Sequence, residues 1–525
     1  MKKLLLTFAS LGLCLGVAAC SKKQSKSTTK GNNSSTTNKT SQTTKRNTTS
    51  NKVTTADYQT DNPNYVSDFE PVVSASLPKI EINVTDENPF KFYDDVETVD
   101  SPKEYANCTV KTTEGETVEL DGVTAQVKVR GNYTVEYDKK PLRIKFTDKQ
   151  SMLGLHGGKK YKNWVLLAEY KDWSMLRNAT AFYLGHLMDG NYVSDFRLVN
   201  VYLNDEYYGV YLLAEQQEVK GGRIDITEPD KNYEGTDIGY FIELDKYYNK
   251  EDALQQFLID YKTLYNDEGK AISNYPEQKG YTIKSDVYSD TQTNFIKNYI
   301  QNVFEICYQA IYNNKFYEFD STYSTIKEST TLKSQTETIS KIIDIDSLVN
   351  SYLLADIACD VDVATSSFFM NVDFGAEGDK VIRFESPWDF DSSFGNTLGC
   401  LDGKGVYAGN IIKNVHGTEV ANPWYLLFYH ANWFKTLVKD KYNGMKANGS
   451  FTKVINFINT TTENFATDFT NNYKEWKNIG HPEYYWIELE TSDAGKCRTH
   501  QEASECLVTW LTNRLDNLDK LYNNK

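Results

Sequence analysis

Several signatures of metal chemistry are missing from this chain of 525 residues. Its eight cysteines include no Cys-x-x-Cys pair, and their spacing matches no zinc-binding pattern. Its six histidines include no His-Glu-x-x-His sequence, so a zinc-peptidase site has no support. The one close pair of cysteines after the first twenty residues is Cys497 and Cys506, and a disulfide between them is permitted outside the cell.

Long apolar runs are also scarce, and the only one lies at the start of the chain. Lys2 and Lys3 precede an apolar run over residues 4–17, and Val-Ala-Ala-Cys follows at residues 17–20. This run is too short to span a bilayer as a mature helix. A cysteine directly after small residues resembles a bacterial lipobox, in which the cysteine is acylated. We therefore predict a signal peptide over residues 1–20 and a lipid anchor on Cys20 at the extracellular face of the bacterial membrane; an ordinary secretory signal is the alternative.

Acidic residues are absent from the segment that follows. Residues 21–55 are mainly Ser, Thr, Asn, Lys and Gln and carry eight basic residues. Such a composition cannot bury a core, so we predict a disordered tether over residues 21–76. Without these eight charges and the two lysines of the signal, the formal net charge of −15 becomes −25 on the remainder. A body that acidic is a poor partner for nucleic acid.

The hydrophobic periodicity changes from a period of two to a helical period near the middle of the chain. We predict an α+β architecture with a β-rich lobe over residues 77–235 and a mainly helical lobe over residues 236–525. A surface loop is expected over residues 319–340. The expected strands are 80–84, 108–112, 117–120, 125–130, 142–146, 164–167, 196–203, 209–213 and 239–244, and the expected helices are 172–188, 294–312, 345–357, 421–439, 451–470 and 504–522.

Two groups of residues in the second lobe could carry chemistry. Asp389 and Asp391 stand where a short predicted strand ends, in Trp388-Asp389-Phe390-Asp391, and carboxylates there are well placed to hold a divalent cation against a phosphate. Asp362 and Ser367 lie on a loop after a predicted helix, where an acid could orient a hydroxyl. A hairpin between residues 367–372 and 380–384 would bring Asp362 and Asp389 to the same end.

Two basic elements in the first lobe complete the set. Arg130-Gly131 ends a strand, and its glycine lets backbone N–H groups approach a phosphate. Arg143 and Lys145 share one face of the next strand, which makes that face cationic over two positions.

The order of these motifs resembles the CotH-type spore-coat kinase family. The resemblance rests on Arg130-Gly131-Asn132, on Lys139-Lys140-Pro141-Leu142-Arg143-Ile144-Lys145-Phe146, on Leu176-Arg177-Asn178, on residues 203–215 and on Pro387-Trp388-Asp389-Phe390-Asp391. It implies an atypical protein-kinase-like fold of two lobes. It also implies ATP-dependent phosphorylation of Ser or Thr on surface proteins, with Mg²⁺ or Mn²⁺ as the cation and a monomeric enzyme.

The resemblance also implies roles for single residues. Asp362 would be the catalytic-loop aspartate, and Asp389 would bind the metal with help from Asp391 or Ser367. Lys145 would pair with the nucleotide phosphates together with Arg130. Finally, residues 212–216, with Glu215, would lie where the hinge between the lobes meets adenine.

The sequence departs from kinases in three places, which leaves other functions open. The helix over residues 173–188 contains no Glu, for which Glu169 is a possible substitute; no full Gly-x-Gly-x-x-Gly loop exists; and Val363 replaces a glycine after Asp362. One alternative is a non-catalytic surface module whose 37 tyrosines and eight tryptophans could stack on sugars. Another is a metal-dependent phosphohydrolase.

Overall fold

A computed structural model describes residues 69–189, 191–272, 280–400, 402–414, 417–481 and 492–523. Strands dominate the first part of this range and helices the second, as predicted. The predicted signal peptide lies outside the described residues, as does the predicted tether apart from residues 69–76. No helix in the described ranges is long and apolar enough to cross a membrane.

The first seven strands form a closed barrel in the order β1-β2-β3-β4-β5-β7-β6. Neighbouring strands are antiparallel except where the barrel closes, because β1 pairs in parallel with β6. Alternate residues point inward and form one apolar core. The barrel strands are β1 (Lys79–Val84), β2 (Ala106–Glu114), β3 (Thr117–Val129), β4 (Leu142–Gln150), β5 (Tyr161–Leu167), β6 (Phe196–Leu203) and β7 (Glu206–Glu215).

A second sheet follows the barrel in the chain, with the strand order β15-β8-β12-β9. The predicted hairpin over residues 367–384 forms only in part: β15 pairs along its length with β8, whereas Arg383 meets it through a single bridge to Asn371. The remaining strands are β8 (Gly239–Asp245), β9 (Gln256–Phe257), β10 (Leu264–Tyr265), β11 (Ala271–Ile272), β12 (Gly280–Ile283), β13 (Tyr317–Phe319), β14 (Ile326–Glu328), β15 (Phe368–Asp373), β16 (Ile412–Lys413) and β17 (Glu419–Val420).

The structure differs from the prediction in three segments of the second lobe. The predicted loop over residues 319–340 contains a small hairpin and a short helix, which Ser334 caps by accepting from the Glu337 N–H. The predicted helices 421–439 and 451–470 are each two helices. The helices are α1 (Lys91–Asp94), α2 (Arg177–His186), α3 (Asp290–Asn313), α4 (Gln335–Ile339), α5 (Ile345–Ala358), α6 (Pro423–Tyr429), α7 (Asn432–Ala447), α8 (Ser450–Asn464), α9 (Ala466–Trp476) and α10 (His500–Asn523).

Helix α2 is the element that positions the candidate site. Its start is fixed by Asp172, whose carboxylate accepts the backbone N–H groups of Leu176 and Arg177 at 3.0 and 2.8 Å. Asp172 also forms a fully buried ion pair with Arg177. The helix was predicted to begin at Asp172 or Ser174, and it begins instead at Arg177 because the intervening residues wrap around the Asp172 carboxylate.

Candidate active site

Asp389 and Ser367 are in direct contact across two loops. The Ser367 hydroxyl donates to Asp389 Oδ2 at 3.0 Å. Both residues have left-handed backbones, with φ of 63° and 55°. A non-glycine residue rarely adopts this region, and such conformations cluster at functional sites because the surrounding structure must hold them. The hydroxyl and the carboxylate therefore share one fixed position.

Asp362 lies on the tight loop that leaves α5. Its backbone N–H donates to Asp360 Oδ1 at 3.0 Å, and its carbonyl accepts the N–H groups of Thr365 and Ser366 at 2.6 and 2.7 Å. These hydrogen bonds involve the backbone of Asp362 and not its carboxylate. Within the described ranges the Asp362 carboxylate accepts no hydrogen bond, so it is available to a hydroxyl from outside.

The carboxylates of this region repel one another. Burial raises the pKa of Asp389 to about 7, and the nearby carboxylates of Asp391 and Asp362 add to the rise. Burial likewise raises the pKa of Asp391 to about 6, again with a contribution from Asp362. The pKa of Glu169 lies well above its usual value, because this residue is buried and close to Asp172 and Asp391. The structure thus brings Asp362, Asp389 and Asp391 close to one another.

Two basic side chains partly offset this charge. The Arg130 guanidinium lies over the Trp388 ring, 5.3 Å from its centroid, and its charge lowers the pKa of Asp389 against the effect of burial. Lys171 does the same for the pKa of Asp391, and its Nζ donates to the Ser392 hydroxyl at 2.7 Å. Arg130 is therefore close to the candidate metal carboxylate.

Helix α2 holds the loop that carries the two aspartates. The Asn178 Oδ1 accepts the N–H of Phe390 at 2.7 Å, and its Nδ2 donates to the carboxylate of Glu169 at 3.0 and 3.2 Å. Arg177 Nε donates to the Ser393 carbonyl at 3.1 Å. The start of α2 therefore fixes the backbone immediately after Asp389.

The structure does not bring Lys145 into this group. Lys145 is exposed on the outer face of β4, with its Nζ over the Tyr105 ring at 5.7 Å from the centroid. It pairs with Gln126 on β3, four residues before Arg130. At about 3.3 Å per residue, Gln126 and Arg130 are roughly 13 Å apart along the strand, and Lys145 is separated from Arg130 by a similar distance. The two cations share a face of the barrel but not a site.

Glu215 is also elsewhere, in a buried ion-pair cluster. Its Oε1 lies 3.0 Å from Arg223 Nε and 3.2 Å from His156 Nδ1, and its Oε2 accepts the N–H of Asp195 at 3.0 Å. The carboxylate is fully buried. The Glu215 carboxylate, which was predicted to lie at the adenine site, is therefore already bound by other residues of the protein.

Lys171 and Asn178 are the residues of the site that sequence reasoning missed. Asn178 stands in the Leu176-Arg177-Asn178 motif, but the motif alone gave it no role. Lys171 had no sequence signal at all, because it lies between two elements. Lys139 is a buried lysine that lines the same pocket as Arg130, Asp389 and Asp391. Its Nζ donates to the Ala168 and Val210 carbonyls and to the Asn472 side chain.

The donor set determines which metal the site could hold. In the described part of the chain, no group of three or more His, Cys, Asp or Glu side chains is arranged to hold a metal ion. Asp389, Asp391 and Ser367 offer two carboxylates and a hydroxyl. Mg²⁺ is usually held by one or two carboxylates together with waters and substrate phosphates, so this set fits Mg²⁺ or Mn²⁺ bound beside a phosphate. It does not fit a metal cage made by the protein alone.

Comparison with known proteins gives the family of the chain. No curated protein matches the chain. A model of the CotH kinase protein family matches residues 127–518, a range that includes Arg130, Asp362 and Asp389. Because that match covers most of the sequence, the chain belongs to the CotH kinase protein family.

Proposed function

We propose that this protein transfers the γ-phosphoryl group of ATP to Ser or Thr hydroxyls of surface or secreted proteins. The observation that carries the proposal is the Asp362 carboxylate, which accepts no hydrogen bond in the described ranges and stands beside the pair of Asp389 and Ser367. One group is free to receive a substrate hydroxyl, and the other group supplies oxygen donors for a cation. Phosphoryl transfer needs both at one place.

Each side chain then has a defined task. Asp362 accepts the hydrogen bond of the acceptor hydroxyl and orients its oxygen toward the phosphorus. Asp389, with Asp391 and Ser367, would hold Mg²⁺ or Mn²⁺. A bound divalent cation supplies positive charge against the phosphate oxygens. Arg130 neutralises charge that develops on the transferred group, and Asn178 keeps the loop after Asp389 in place.

The proposal includes the setting of the enzyme. The barrel and the helical part would correspond to the two lobes of a kinase-like fold. A lipid on Cys20 would hold a monomeric enzyme at the outer face of the membrane. Lys145 keeps its predicted role in nucleotide binding only as a hypothesis, since its support is the cationic face that it shares with Arg130 and Arg143.

The test uses the purified chain with labelled ATP, Mg²⁺ or Mn²⁺, and a mixture of Ser/Thr peptides. We expect incorporation of phosphate that requires the metal. Asp362→Asn should lower incorporation by at least about 100-fold while ATP binding, measured by thermal shift, is retained. Asp389→Asn should remove the metal-dependent part of ATP binding as well.

Asp402→Asn is the matched control, because this aspartate is exposed and, among the residues that the structure describes, its carboxylate is bound by Lys404 alone. Full incorporation by the Asp362→Asn protein would contradict the proposal. Release of free phosphate without transfer would point to a phosphohydrolase. Binding of glycans without any binding of ATP would point to the surface module.

A further inference from the structure

Cys497 and Cys506 meet at the start of α10. Cys497 follows a short 3-10 turn, Ala494–Lys496, and has an extended backbone. Cys506 stands on the second turn of the helix. The two thiols are close enough for each to shift the pKa of the other, and the Cys497 Sγ donates to the Asp493 carbonyl at 3.9 Å. Both side chains pack against the same small buried cluster, which includes Trp173, Ala494 and Ala503.

The other four cysteines of the described ranges are in a different situation. Cys359 and Cys400 are fully buried and their thiols point at backbone carbonyls, those of Asp356 and Ser392 at 3.8 and 3.3 Å. Burial raises the pKa of Cys108 to about 12 and raises the pKa of Cys307 further. These thiols are therefore protonated and shielded, whereas Cys506 is only partly buried.

Cys506 has the properties of an attacking thiol. It is only partly buried, and the neighbouring Cys497 thiol lowers its pKa to about 7, with a further contribution from the Arg177 guanidinium. The thiolate form is therefore well populated at neutral pH, which is the form that reacts with disulfides. Cys497 keeps its proton, because its pKa is raised and its Sγ donates to the Asp493 carbonyl.

We propose that Cys497 and Cys506 are a redox pair whose disulfide closes the first turns of α10 onto the preceding 3-10 turn. The oxidant is a low-molecular-weight disulfide, written RSSR. The Cys506 thiolate attacks RSSR and releases one thiol, which leaves a mixed disulfide on Cys506. Cys497 then loses its proton and attacks the Cys506 sulfur, releasing the second thiol. Two cysteine thiols and RSSR thus become one internal disulfide and two RSH.

The proposed disulfide lies next to the residues that precede α2. His500, three residues after Cys497, donates from Nε2 to the Ser174 carbonyl at 2.8 Å. Ser174 in turn is bound to Asp172, which fixes the start of α2. The disulfide would therefore fasten the contact between α10 and the segment ahead of α2. This inference does not depend on the proposed phosphotransfer.

The experiment equilibrates the full chain in glutathione buffers of increasing GSSG content, quenches it with acid and alkylates the free thiols. Trypsin cleaves after Lys496 and Arg498 and so places the two cysteines on different peptides. We expect mass spectrometry to find these peptides linked, with Cys307 alkylated throughout. We also expect oxidation to raise the Tm by a few degrees.

Two variants test the assignment. The rise in Tm on oxidation should disappear in Cys506→Ser and persist in Cys307→Ala, whose thiol is buried in α3. Alkylation of both Cys497 and Cys506 at every GSSG content would overturn the proposal. So would glutathione retained on Cys506, because the second step would then not occur. A loss of phosphate transfer in all forms would bear on the proposed function alone.

Discussion

Arg130 and Lys145 are both basic and lie on the same outer face of the barrel, but only Arg130 is next to a carboxylate of the site. We predict that Arg130→Ala lowers kcat/KM for peptide phosphorylation by about 10–100-fold, since a charge-assisted contact contributes roughly 1.5–3 kcal/mol. Lys145→Ala should cost much less. The measurement is steady-state kinetics at saturating metal.

An equal loss in the two variants would contradict this ranking, and circular dichroism would check that both proteins are folded.

Lys145 also illustrates what single residues reveal before a structure is known. The alternation along β4 correctly predicts which face Lys145 occupies. It does not predict how far along the strand the nucleotide would lie, because that depends on the loop that carries Asp389, more than 240 residues later in the chain.

The first turn of α10 depends on an uncharged histidine. His500 is buried, stacks on Phe469 with ring centroids 3.6 Å apart, and has its pKa lowered to about 4 mainly by burial. Its usual value of about 6.5 applies in the unfolded chain. Between pH 6.5 and 4 the unfolded state therefore binds a proton that the folded state does not. Stability is fully present above pH 6.5 and falls as the pH drops through this window, by about 3 kcal/mol.

We predict that His500→Gln, which keeps an N–H donor for Ser174, flattens this part of the pH dependence while lowering stability at pH 7. Urea unfolding at pH 7 and pH 5 measures both effects. His481→Gln, at an exposed histidine, is the control and should leave the difference between the two pH values unchanged. An unaltered pH dependence in His500→Gln would show that other groups cause the acid loss.

Apolar spacing predicted that the long helices exist but placed their ends less well: α3 was predicted over residues 294–312 and spans Asp290–Asn313. The capping box of Ser289 and Gln292 and the apolar spacing after it define α3. By contrast, the spacing from residue 451 to residue 470 runs through Phe465, where the backbone leaves helical geometry and α9 begins. Periodicity reports which side chains face a core, and it continues across such a break, so the break was missed.

The barrel is the main feature of the whole molecule that sequence reasoning did not predict. The strands themselves were expected from the alternation of apolar and polar residues. Closure was not, because it rests on Lys79–Ile82 lying parallel to Asn200–Leu203, a pairing over about 120 residues that no local pattern encodes. Recognisable motifs led to Asp362, Ser367, Asp389 and Arg130, which the structure groups, whereas Lys145 and Glu215 came from the same reasoning and lie apart from them.

Two truncations test the importance of this closure. We predict that a chain beginning at Phe69 melts like the full protein, because β1 and the stacking of Phe69 on His186 are kept. A chain beginning at Thr85 lacks β1 and exposes the edges of β2 and β6, so it should lose cooperative melting. Differential scanning calorimetry measures both. A sharp transition in the shorter chain would show that the barrel does not need β1.

The parallel pairing of β1 with β6 also sets an order of events during synthesis. The chain emerges from the N-terminus, so β1 is made among the first elements of the body and its β6 partner appears only after residue 203. Until then one edge of β1 has no strand beside it. During that interval this edge has to be kept from pairing with other molecules. The time before the barrel closes is thus the stage of folding at which aggregation is most to be expected.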